Sequence, residues 1–119
     1  MADKPTGLLI APGSRNEVNL IGRMGNTSEQ RQLPSGDVIA VFSVVVDRPV
    51  REHWGRTKVD TIACQALRPV IIARLALLDP GQWVEVHGVL RRRFWRSGSG
   101  LASAMEVEVR KLVRVKTVP

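Results

Sequence analysis

Tyrosine is missing from this 119-residue chain, and cysteine occurs once, at Cys64. A single thiol cannot form an internal disulfide, which fits a reducing compartment, and a cytoplasmic location is expected. The two histidines, His53 and His87, have no Cys, His or carboxylate neighbours at metal-ligand spacing, so neither a metal site nor a cofactor is expected. No phosphate-loop glycine motif is present, and no Cys–His pair comes with a third group to orient it. Long apolar runs are also scarce. The longest, within "RPVIIARLALLDPG", is interrupted by Arg74 and falls well short of the ~20 residues that span a bilayer. The N-terminus "MADKPTGLLIAPGS" has too short an apolar stretch to act as a secretory signal.

Negative charge is the other scarcity. Eleven Asp and Glu face 18 Lys and Arg, a formal charge of +7, and most of the cations are arginine. Arginine forks onto phosphate and stacks on flat rings, whereas lysine acts mainly as a point charge. This balance points to a polyanionic partner, nucleic acid before an anionic membrane. A chain that is 44% hydrophobic and 24% charged is globular, and its length suits one domain.

Residues 1–15, with two prolines, two glycines and no period, read as a loose arm, and 116–119 as a short end. The globular part is expected over 16–115. "EVNLIGRMG" alternates as a strand, with Gly22 at a bulge or bend. "NTSEQRQLPSG" reads as a polar segment ending in a turn. "DVIAVFSVVVD" reads as a strand apolar on both faces, one for a core around Phe42 and the other for a second subunit. "RPVREHWGRT" is a basic loop and "KVDTIACQA" a third strand. "RPVIIARLALLDPG" reads as a helix with Pro69 in its first turn, apolar nearly all round and so mostly buried. "QWVEVHGVLRRRFW" and "LASAMEVEVRKLVRV" are strands joined at a Gly/Ser tip. Five strands with a helix between the third and fourth is the plan of an all-β, Greek-key OB-fold barrel.

The fourth strand carries the strongest functional signal. Alternation puts Val84, Val86, Gly88 and Leu90 on the core side, followed by Arg92 and Phe94. Arg91, Arg93 and Trp95 then form an outer stripe at ~7 Å intervals. Each phosphate of a single nucleic-acid strand offers a partner for a guanidinium, and each base a face for an indole. Arg96 follows at the tip. The loop repeats the recipe, with Arg48, Arg51, Arg56 and Lys58 around Trp54. Glu106 and Glu108 read as exposed strand acids offsetting nearby arginines rather than as a catalytic pair. Trp83 is expected at a core edge or a subunit interface.

"NEVNLIGRMG", "EQRQLPSG", "VFSVVVDR" and "DPGQWVEVHGVLRRRFW", in register from Asn16 to Val115, resemble the bacterial single-stranded DNA-binding protein family. The resemblance implies an OB-fold, usually a homotetramer, that coats single-stranded DNA without sequence preference during replication, recombination or repair, near the nucleoid. It adds Arg23, in the opening motif, to the contact set. Val50, Thr61 and Leu67 stand where relatives often carry rings, and the basic end "KLVRVKTVP" lacks the family's acidic tail, so a tailless member or a truncated chain is expected. A dimer is the fallback assembly. The alternative is an OB-fold adaptor resembling primosomal replication protein N, binding mainly replication proteins. A nuclease is disfavoured because no carboxylate cluster is evident.

Overall fold

The computed structural model describes residues 13–116 apart from residue 27. The arm expected over 1–15 therefore lies almost wholly outside the described residues, as does most of the C-terminal end. Six strands and one helix follow in the order β1 (Val18–Met24), β2 (Glu29–Gln32), β3 (Val38–Asp47), β4 (Val59–Ala66), α1 (Pro69–Leu75), β5 (Trp83–Ser97) and β6 (Gly100–Arg114). The barrel consists of β1, β3, β4, β5 and β6. It runs β1–β5–β6–β4–β3 and closes through a second pairing, β1 with β3. All contacts are antiparallel except β4–β6, where Cys64 to Ala66 run parallel to Val107 to Val109. This is the expected five-stranded OB-fold, with β2 added at the β3 edge.

β2 replaces what reads in the sequence as a polar turn segment. All four of its residues are exposed, so no apolar alternation marks it. Its backbone pairing to β3, from Glu29 opposite Val41 to Gln32 opposite Val38, holds it.

The core gathers inward-facing alternates: Met24; Ala40, Phe42 and Val44; Cys64 and Ala66; Val84 and Val86; Val107, Val109 and Leu112. α1 plugs the barrel with Ile71, Ile72 and Leu75, followed by Leu78. It is shorter than expected and only half-buried. Val70 is 60% exposed because the helix presents a single face to the barrel and the rest to water, and Leu77, 83% exposed, lies in the turn beyond it. Gly22 sits where β1 turns from β5 toward β3. A Cβ there would overlap the carbonyl oxygen of Val45, so the bend requires glycine. The Cys64 thiol is buried, and burial with the nearby Glu106 charge pushes its pKa up to about 12, which keeps it an unreactive core group at neutral pH.

Two features of β5 and β6 position the site. The register slips between His87 and Gly88, where β6 has an extra residue, Arg110. Beyond this point β1 has ended, and past Leu90, whose partner Val107 still pairs with β4, Arg91–Ser97 continues with Gly100–Glu106 as a two-stranded ribbon. At its base the Asn16 side chain bonds both polar groups of Leu90: Nδ2 donates to the carbonyl (2.7 Å) and Oδ1 accepts from the amide (2.8 Å).

Candidate nucleic-acid interface

The alternation expected for β5 persists along the ribbon. Arg91, Arg93 and Trp95 share its front face with Glu106, Glu108, Ala104 and Ala102 of β6. Arg93 Nε donates to Glu106 Oε1 (3.0 Å), and Arg91 Nε donates to Glu108 Oε1 (3.2 Å). Each is a diagonal cross-strand pair. Arg110 Nε lies 3.5 Å from the other oxygen of Glu108. The two glutamates thus offset nearby arginines as expected, but Glu106 is buried (8% exposed), not an exposed strand acid. The Arg93 guanidinium carbon stands 4.8 Å from the centre of the Trp95 ring, a cation–π arrangement that fixes the indole while 39% of the residue stays open to solvent. Both cations are bound to their carboxylates through Nε.

This front face overlooks a groove. Arg93 and Glu106 line a depression of about 360 Å³ together with Ile39 and Val41 of β3, Gln65 of β4 with Leu67 just beyond it, and Arg31 of β2 with Leu33 just beyond it. A second depression, about 260 Å³, shares Arg31 and Val41 and continues over Ser43, Thr61 and Ala63. The outer faces of β3 and β4 therefore form a floor between two walls, β2 and the ribbon. Sequence reasoning missed Arg31 and Gln65 in this groove. Arg31 lies on the unmarked polar strand, and Gln65 alternates with core residues without any charge to draw notice. The floor also changes the reading of the two-faced β3: Ile39 is buried and Val41, Ser43 and Val45 are half-buried within one chain, so that face is partly covered without a second subunit.

The basic loop is built differently. Arg48 is held by Asp60 in a two-pronged pair, Nη2–Oδ1 2.6 Å and Nε–Oδ2 2.9 Å, and its carbonyl is 3.1 Å from His53 Nε2. The guanidinium holds the Asp60 carboxyl below its ordinary pKa by hydrogen bonding. Arg51 is in a short 3-10 turn, 3.9 Å from Glu52. Trp54 exchanges backbone hydrogen bonds with Thr57 (3.1 and 2.8 Å), and its side chain is 81% exposed. Arg56 and Lys58 are exposed, with no acid in ion-pair range among the described residues. Because β4 runs parallel to β6, the loop leaves the barrel at the same end as the ribbon.

The remaining predicted contacts are dispersed. Arg23 lies on the outer face of β1, bonded by two nitrogens to Asp47 (2.8 and 3.0 Å) and 5.4 Å from the ring centre of Trp83. Arg23, by hydrogen bonding, holds the Asp47 carboxyl below its usual range. On the same face His87 bridges Asn19 and Glu85, at 2.6 Å to each. Arg96 projects from the reverse side of the ribbon, opposite to Trp95. No three His, Cys, Asp or Glu side chains converge among the described residues. No helix there is long and apolar enough to cross a membrane.

Comparison with known proteins follows the same outline. "Single-stranded DNA-binding protein" of Thermotoga maritima is 31% identical over 104 residues, covering 83% of this chain and 72% of its own. "Single-stranded DNA-binding protein 3" of Listeria innocua is 29% identical over 85 residues, 71% of this chain and 53% of its own. This chain thus spans about half the length of that relative, and likewise of the Halalkalibacterium halodurans protein (51%). The fold matches a Plasmodium falciparum SSB solved in complex with ssDNA, at a TM-score of 0.75 and 24% identity, covering 89% of this chain and 99% of that one. The sequence model of the single-strand binding protein family matches residues 15–115, the entire barrel and ribbon, and the chain belongs to that family.

Proposed function

We propose that this protein binds single-stranded DNA without sequence preference, as a non-enzymatic coat that protects exposed strands in replication, recombination or repair. The observation that carries the reading is the front of the ribbon. There Trp95, held by Arg93 and still partly open, adjoins through Arg93 the groove that Arg93 lines with β2, β3 and β4. Stacking on Trp95 and Trp54 tolerates any base, and Arg56 and Lys58, which meet no acid among the described residues, with Arg51, contact phosphates. Arg91 and Arg93, each held through Nε by a glutamate, add guanidinium groups on the same face. Arg48 and Arg23, each held by an aspartate, shape the loop and the β1 face and contribute less charge.

Family membership supports assembly as a homotetramer near the nucleoid. The exposed Ile21 and Val113, on the β1–β5–β6 face beside the Asn19–His87–Glu85 bridge, supply the seam. The test is a tryptophan-fluorescence titration with dT and rU oligomers at two salt concentrations, alongside a solution mass measurement. Quenching whose affinity falls steeply with salt, from a multimeric species, is expected. Unchanged fluorescence at low salt sinks the binding reading, and a clean monomer sinks the assembly.

A further inference from the structure

The reverse face of the β5–β6 ribbon carries a second ring flanked by cations. Arg92, Phe94 and Arg96 alternate on this side of β5, opposite Met105, Ser103 and Leu101 of β6. These positions continue the barrel's inward-facing set past the end of the barrel, so their side chains emerge into solvent instead of a core. Phe94 is 58% exposed, and Arg92 and Arg96 are exposed as well. With Met105 (42%) and Leu101 (70%) also exposed on this face, Phe94 belongs to a contiguous apolar patch between the two cations, and such a patch marks a contact surface.

The two faces differ in charge. On the front, Glu106 and Glu108 take up the Nε groups of Arg93 and Arg91. On the reverse, no carboxylate lies within ion-pair distance of Arg92 or Arg96 among the described residues. The one polar contact is Arg92 Nη1 donating to the Ser103 hydroxyl at 3.2 Å. This leaves the reverse face with two uncompensated guanidiniums at alternate positions and a flat ring between them. We infer that the reverse face, through Arg92, Phe94 and Arg96, is a second contact for single-stranded nucleic acid, so that one strand wraps the ribbon. The inference rests on the proposed single-strand binding by the front face. Charge complementarity selects a polyanion over an apolar protein surface, which would leave both guanidiniums buried and unpaired. The ribbon is a single layer of backbone, and its tip is Ser97, Gly98, Ser99 and Gly100. A strand stacked at Trp95 meets no bulky side chain at the turn and reaches Phe94 within a few nucleotides.

The test compares two fluorescent oligothymidylates by anisotropy: one of about 8 nucleotides, enough for one face, and one of about 30, enough for both. Phe94→Ala is expected to weaken the long oligomer roughly tenfold and leave the short one within about twofold of wild type. Arg92→Ala with Arg96→Ala is expected to lower the salt slope for the long oligomer by about one. Phe94 is exposed, so its variant should melt as the wild type does. If it does not, the double arginine variant carries the test alone. Wild-type affinity of these variants for the long oligomer, with Trp95→Ala still weakened, overturns the second contact and leaves the front-face reading intact. If Trp95→Ala is unaffected too, the front-face reading itself fails. A change in solution mass of Phe94→Ala without DNA assigns the face to a second copy and overturns the inference.

Discussion

The ribbon and the Arg48–Lys58 loop hold nearly the same ingredients, arginines around one tryptophan, yet in opposite physical states. On the ribbon, strand geometry fixes every second side chain on one face, each front arginine is held by a glutamate, and the indole is covered on one side by a guanidinium. In the loop, one arginine is consumed in holding the turn together, and the indole and remaining cations stand in water. Composition sets what a segment can touch. Backbone regularity and nearby carboxylates set whether its groups are oriented beforehand or only upon binding. The ribbon should therefore supply stacking that salt scarcely alters, and the loop charge that salt screens.

The largest disruption of this contrast is Gly88→Ala. A Cβ there overlaps the carbonyl oxygen of Glu108 at the register slip, and stability should fall by about 3 kcal/mol in denaturant titration. Binding through the ribbon should suffer more than binding through the loop. Next, Trp95→Ala should weaken oligothymidylate binding by about 1–3 kcal/mol with little change in salt slope, and Trp54→Ala by less. Equal losses would erase the distinction between a held ring and a free one. Replacing Arg51, Arg56 and Lys58 together by alanine should lower the salt slope by about two. Arg93→Ala should lower it by less than one, because Glu106 already neutralises that charge, and Glu106→Gln should raise it slightly. The smallest effect is acid sensitivity. Asp60 and Asp47 titrate below their ordinary value of 3.8 when folded. Their contribution is complete above that pH and is lost as the pH falls through the lower folded values. Asp60→Asn should remove part of the loss of stability below about pH 4, read as melting temperature against pH.

Strand alternation made the barrel legible, and with it the shared face of Arg91, Arg93 and Trp95. Gly22 was legible as a bend. The register slip at His87–Gly88 did not disturb this, because the extra residue lies on β6 and leaves the β5 alternation intact. What stayed hidden depends on contacts distant in sequence. β2 exists only through its pairing with β3. α1 exposes Val70 because the barrel accepts one helical face, and the helix stops before the exposed Leu77, facts that apolar composition cannot convey. Arg48 and Arg23 look like the other basic residues until Asp60 and Asp47 are placed against them. The groove, with Arg31 and Gln65, appears only after three separate strands are assembled.

The Asn16 amide has a consequence for self-association. By offering one acceptor and one donor to Leu90, it impersonates a single residue of the neighbour that β1 no longer provides. The rim of the sheet is thereby sealed one rung beyond the last backbone pairing, at Gly88, just where a bare, partly apolar border would otherwise invite another chain to zip on and seed a fibril. Past that rung Arg92 and Arg96, which no carboxylate offsets among the described residues, take over the same guarding task by charge repulsion.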